Sequence, residues 1–549
     1  MTRAGQSMPS AVTEETHVAD VDAAKHPPVA LRPALPKGAA AAAFRLLPDA
    51  AMVVSPAVAL AVMLWGLSAR PYWGDEADTV SAVSRSVPQL LELLGHIDAV
   101  HGLYYLLLWP VARIAGTGEL ATRLPSAVMM AAAAAGVTAI GRRLASRRAG
   151  LCAGLMFAVL PTVTVQGHDA RPYAMVTASA VLASYLLVRT AQDARPRWFA
   201  AYGLSLVLVG YAQLFGLLLV PAHAVTLIGL SRGTRREADG RPGVVPPTLL
   251  RGWLVTVAAA GVAVAPVTAA GWVQRAQIAW IPAPGWSDAS DLVSTLIGGS
   301  VWAEIVIGLL AVLGGICAGT AAPAGLHRIV TLRSRSAAAA DRGLAWLAVP
   351  WLVLPPLILI AASLLKPVYF GRYLTFCLPA VALLAGAGLA AMRWPKWLGV
   401  LALVVALVAP TQLAMRVQGG GMQLVAQFLS AHRRPGDAIV YPASLVPPWY
   451  LAYPDGFAQL RDLSMAKDPA ASGRLFGDAV PLPVLERREE SVRRIWIVPL
   501  TGQNPAVYLA QGFRLAHEWK LPGGQEVLLF TQPRHPGGPG RASGPGDPG

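Results

Sequence analysis

Apolar runs of roughly bilayer length recur along this chain, separated by loops that are alternately arginine-rich and acidic. A helix needs about 20 mostly apolar residues to cross a bilayer, and eleven stretches qualify. They are Ala50–Ala69 and roughly 122–141, 149–166, 173–190, 198–213, 215–231, 253–272, 301–319, 344–364, 373–391 and 397–414. Charged residues make up 14% of the 549 positions and mean hydropathy is +0.50. Soluble domains carry about 25% charge, so a multidomain soluble enzyme is excluded. A helical multi-pass membrane protein is expected, and Gly 53 and Pro 45 suit broken and kinked spans.

The net charge of +15 does not indicate a nucleic-acid partner, because the basic residues are spread in clusters between apolar runs. Arg142–Arg148, Arg189–Arg197, Arg232–Arg241, Arg328–Arg342 and Arg393–Lys396 bound these clusters. By the positive-inside rule they are cytoplasmic. The alternate loops, holding Asp75, Glu76, Asp98, Asp169 and Asp288, then face outward. The expected location is the plasma membrane, with a cytoplasmic N-terminus. Leu103–Ala115 is too short to span and contains Pro110 and Arg113; it reads as an interfacial or re-entrant helix.

The expected domains are a disordered cytoplasmic tail (1–45), a membrane domain (46–415) with a first outer loop at 70–121, an extracytoplasmic α/β domain (416–532) and a disordered tail (533–549). Within the α/β domain, Met422–His432 reads as a helix. Asp437–Tyr441, Arg494–Val498 and Glu526–Phe530 read as strands. Cys152, Cys317 and Cys377 lie in apolar segments and read as buried small residues.

Four outward motifs carry candidate chemistry, because ionisable groups near a membrane are costly. Asp75-Glu76 is a paired carboxylate suited to a general base or a divalent-cation site, or to capping a helix. His168-Asp169-Ala170-Arg171-Pro172-Tyr173 offers Arg171 to a phosphate, or to an ion pair with Asp169. Lys366, Arg372 and Tyr373 suit an anionic, amphipathic ligand, or interfacial anchoring. His96, Asp98 and His101 precede the short helix without a recognised metal spacing. Together they suit transfer from a lipid-phosphate donor to a hydroxyl outside the cytoplasm.

The succession WGDEA, HGLYYLLL, ELATRLPSA, GRRLASRRAGL, QGHDARPYAM and FGRYLTFCLPA resembles GT-C membrane glycosyltransferases that use polyprenyl-phosphate sugars, a group including protein O-mannosyltransferases and the aminoarabinose transferase of lipid A. The resemblance implies a GT-C-like helical fold of about eleven spans. It also implies a lipid-linked sugar donor, most readily mannose, and a protein, glycan or lipid acceptor. Asp75 matches the first-loop aspartate that the family uses as catalytic base or acceptor-positioning group, and Glu76 its frequent acidic partner, with an optional divalent cation on the two. Arg171, Arg372 and Tyr373, with Lys366, would hold the donor phosphate. His101, Tyr104, Tyr105, His168, Asp169 and Tyr173 would bind substrate. Relatives often read His-Pro-Pro-Leu-Tyr-Tyr where this chain has His101-Gly102-Leu103-Tyr104-Tyr105. The implied reaction is inverting displacement with Asp75 as base. Arabinofuranosyl or other GT-C transfer, lipid or sugar transport, and a sensor or scaffold role are the competing readings. Transporters commonly carry repeated halves, and no internal repeat is visible here.

Overall fold

The computed structural model describes residues 37–234, 246–285, 287–319, 335–393, 395–417, 421–441, 445–499 and 512–532. The basic loops 235–245 and 320–334 and the expected tail 533–549 lie outside them. Two compact units are distinguished, Met1–Leu47 and Pro48–Gly549, and the site lies wholly in the second. The first helix begins at Lys37 and runs to Leu64. This helix overlaps the end of the expected tail (1–45), and its Ala39–Ala43 run is rich in the best helix former. Residues 1–36 lie outside the described residues.

All eleven apolar stretches are helical. Among the described residues, seven helices are long and apolar enough to cross a membrane. Arg147–Val159 and Pro161–Gly167, bent by 65° at their junction, form either a broken eighth span or a re-entrant loop. Ala50–Leu64 and Leu214–Leu230 are shorter apolar helices, and Pro196–Ala212 has 17 residues. The chain is a multi-pass membrane protein. Among the described spans the most enclosed is Gly371–Ala391, with 89% of its apolar window buried, whereas Pro247–Val273 and Lys396–Arg416 sit at the rim with 17%.

Without water to drive apolar helices together, close backbone approach supplies the packing. A methyl group on Gly141 would come within 2.8 Å of Gly150 Cα. The bend has a plain cause. Pro161 lacks the N–H that a continuous helix needs, and it occupies the first turn of the second half, where that loss is harmless.

Three first-loop helices, Gly74–Val83, Val87–His96 and Gly102–Ala115, lie beside the bundle. The last, 14 residues and about 21 Å long, is too short to span, as expected. It buries Tyr104, Tyr105, Leu108 and Ala112 and exposes Leu106, Leu107 and Ile114.

Beyond the last span, Met422–His432 is helical, and Ala438–Val440, Arg494–Ile497 and Glu526–Thr531 are strands. Two further strands, Arg461–Asp462 and Arg514–Lys520, complete a five-stranded mixed sheet as its edges. Ala438 pairs in parallel with Ile495, which pairs antiparallel with Phe530. This region packs on the first loop. Tyr72 N–H donates to Tyr453 Oη (2.6 Å), Ser81 Oγ to Leu475 O (2.9 Å) and Arg85 Nη2 to Pro469 O (2.7 Å).

Candidate active site

The helix Gly74–Val83 opens with two adjacent carboxylates whose side chains go opposite ways. Glu76 turns inward, 1% exposed. Arg123 donates Nε to Glu76 Oε1 at 2.7 Å and Nη2 to Oε2 at 2.6 Å. The rest of that guanidinium goes to the carbonyls of Leu67, Arg70 and Pro71 at 3.1, 2.7 and 3.2 Å. Glu76 also accepts the Ala170 N–H at 2.9 Å. One carboxylate thus joins the loop entrance, the helix Glu119–Leu144 and the 168–172 corner. The expectation that Glu76 is a catalytic or metal-binding partner is corrected, because both its oxygens are already engaged. With both Glu76 oxygens engaged by Arg123 and Ala170, the Asp75–Glu76 pair does not fit the expected divalent-cation site.

Asp75 faces a cavity of about 700 Å³. Arg372 Nη1 lies 3.1 Å from its Oδ2, and Arg171 Nη2 lies at 3.9 Å. Both carboxylate and Arg372 keep about a third of their side-chain surface exposed. The Arg372 guanidinium lies 4.7 Å from the Trp73 ring centre and 4.5 Å from that of Phe370, a stacking that suits its plane.

Arg171 is held from behind. Nη1 donates to Tyr105 Oη at 3.2 Å and to the Asp75 carbonyl at 3.3 Å, and Nη2 lies 3.5 Å from His101 Nε2. Tyr105 in turn donates to Asp98 Oδ2 at 2.7 Å, and His101 Nδ1 lies 3.4 Å from Asp98 Oδ1. Burial opposes charge on Asp98, yet His101 and Arg171 hold its carboxyl well below the usual range.

Asp75, His101, Arg171, Tyr173, Lys366, Arg372 and Tyr373 all line the cavity. Tyr104, Tyr105, His168 and Asp169 do not, which corrects their expected direct contact with substrate. Tyr104 Oη is buried 3.2 Å from Ser126 Oγ. His168 Nε2 meets the Met63 carbonyl at 2.6 Å, and burial lowers its pKa to about 4, so the neutral ring donates there. Asp169 accepts Trp73 Nε1–H at 3.1 Å. Burial and then the nearby Glu76 charge push its carboxyl up to about 7.

Sequence reasoning missed several lining residues. Phe215 stacks on Tyr373 (5.1 Å between ring centres) and Trp280 meets Phe370 edge-on (5.3 Å). Trp272 carries Arg275 at 4.9 Å and Lys366 at 5.4 Å. Asp78, Leu475 and Phe476 complete the wall. No motif singles out these aromatics in so apolar a chain, but Asp78 stands one turn beyond Asp75 on the same helix face, a readable signal. The cavity thus combines four cations, three carboxylates and an aromatic wall. It suits a ligand with an anionic head, a polar reacting group and an apolar tail.

The family model described as dolichyl-phosphate-mannose-protein mannosyltransferase matches residues 103–238. No curated protein matches by sequence. Among solved structures, apo ArnT from Cupriavidus metallidurans is similar, with TM-score 0.53 and 15% identity over 89% of this chain and 98% of that one. The same protein bound to undecaprenyl phosphate gives TM-score 0.52 and 15% identity over 88% and 98%. The chain has the GT-C fold of membrane glycosyltransferases.

Proposed function

We propose that this chain is a glycosyltransferase that moves a sugar from a polyprenyl-phosphate donor to an acceptor hydroxyl on the outer face of the membrane. The observation that carries the reading is Asp75, a cavity-facing carboxylate bridged by Arg372 and flanked by Arg171. The described basic clusters support the orientation. Arg123, near the cavity, and Arg143, in a basic cluster, sit about 30 Å apart along one helix, so the cavity lies at the end away from that cluster. Undecaprenyl phosphate in the ArnT structure supports the donor class, and the family name supports mannose as the sugar.

The chemistry follows from the geometry. The acceptor hydroxyl loses its proton to Asp75 as its oxygen bonds to the anomeric carbon from the face opposite the phosphate. The anomeric C–O bond breaks, its electron pair stays on the phosphate, and configuration inverts. Arg372, Lys366 and Arg171 hold the phosphate charge. The phosphate competes with Asp75 for Arg372, so donor binding loosens the bridge and frees the base. Phosphate leaves without a general acid.

The test supplies membranes containing the full chain with labelled polyprenyl-phosphate mannose and follows sugar release to water or to endogenous acceptors. Wild type is expected to release or transfer sugar, and Asp75→Asn to lose it at equal expression. Near-normal turnover in the variant would remove Asp75 from the base role.

A further inference from the structure

Three carboxylates line the cavity, and two of them are pinned. Asp75 is bridged by Arg372 and Arg171; Asp98 takes the Tyr105 hydroxyl and faces His101. Among the described residues Asp78 has no hydrogen-bond or ion-pair partner, although it lines the same cavity. It stands three residues past Asp75 on the helix Gly74–Val83, and residues so spaced are surface neighbours on a helix.

We propose that Asp78 is a proton-relay residue, acting through Asp75, that takes up the proton Asp75 strips from the acceptor. The inference rests on the transfer reading above and adds the step that resets the base.

The need for such a step lies in turnover. Asp75 must be an anion again before it can take a second proton, so the first has to leave it. Release toward the arginines is closed, because both are already fully protonated. Water reaches Asp75 as well, and the unpinned carboxylate one turn away is the acceptor that the protein itself supplies in the same cavity. The balance is simple: the proton bound to Asp75 Oδ moves to Asp78 Oδ, Asp75 is again an anion, and Asp78 later loses the proton to water. No electrons change hands.

The groups facing Asp78 set its proton affinity. Burial acts first, raising its pKa to about 7; Arg171 opposes this, while Asp98 and Asp75 add to it. His101 and Arg372 line the same cavity. Asp78 is therefore far more basic than an ordinary carboxylate and remains able to release the proton near neutral pH. It must be ionised to receive a proton, so turnover rises with pH through this range and falls below it.

The experiment uses the purified full chain with water as acceptor, measuring sugar release from polyprenyl-phosphate mannose, glucose and arabinofuranose across neutral pH. For whichever donor wild type cleaves, Asp78→Asn is expected to lower kcat about tenfold or more with donor KM unchanged. The rise in rate centred near pH 7 should disappear, and Asp78→Glu should restore both rate and rise. A merely structural role would move KM or thermal stability and leave the pH profile in place, and that result overturns the relay. Wild-type kinetics and pH profile in Asp78→Asn overturn it too, leaving the transfer reading intact. If wild type cleaves none of the three donors, the transfer reading falls and the relay falls with it.

Discussion

Two arginine–carboxylate assemblies begin at neighbouring residues of one helix and serve opposite ends. Behind the helix, Glu76 and Arg123 are sealed from solvent, and almost every hydrogen-bonding capacity is used. In front, Asp75 and Arg372 meet through one contact in an open cavity, braced by aromatic faces and by Arg171 at 3.9 Å. The difference lies in completeness. A buried pair with its remaining donors satisfied is costly to break, so it is suited to holding three segments together. A half-exposed pair with spare donors is exchangeable, so a phosphate can compete for it.

The largest effect should come from the sealed side. Arg123→Ala strands the Glu76 charge and is expected to cost about 3–5 kcal/mol, seen as lost expression or a lower Tm in detergent. An unchanged Tm would erase the contrast between the two assemblies. On the open side, Asp75→Asn should cut sugar release by a factor of about 10²–10⁴ with Tm held or raised, because it removes a charge that water already reaches. Arg372→Ala should act more gently, weakening polyprenyl-phosphate binding by about tenfold, the loss expected of one charge-assisted hydrogen bond. A scintillation binding assay would read this, and unaltered affinity would place the phosphate elsewhere.

The smallest effect concerns Asp169, which sits against the sealed side. Its folded pKa is raised from 3.8 to about 7, so its protonated form favours folding. Its contribution is complete below about pH 4 and is lost as pH rises through about 7. Asp169→Asn keeps an oxygen for Trp73 Nε1 and removes the charge, so Tm should fall less in the variant than in wild type over that interval.

Much of the fold was legible because hydropathy and arginine placement are strong, one-dimensional signals. The helical, multi-span character, the short Gly102–Ala115 helix and the three inner strands emerge as read, while seven of the eleven expected spans, or eight with the bent pair, are long and apolar enough among the described residues. The edge strands were not legible: Arg461–Asp462 has two residues, and Arg514–Lys520 (RLAHEWK) lacks the alternation of a half-buried strand. Within the site, Asp75, Arg171 and Arg372 could be read from motif succession and do meet. The WGDEA motif could not reveal that its two acids part ways, since that depends on Arg123, a residue 47 positions on. Nor could it show that Tyr72, just ahead of it, donates its N–H to Tyr453, 381 positions on.

The bend at Leu160–Pro161 fixes more than direction. Each residue of an α-helix turns the chain by about 100°, so the seven residues Pro161–Gly167 determine the rotational phase at which the His168–Arg171 corner emerges. Arg171 reaches Asp75 only at that phase. One residue gained or lost there would swing the arginine off the cavity while hydropathy stayed the same, so this short half-span acts as a length standard for the site.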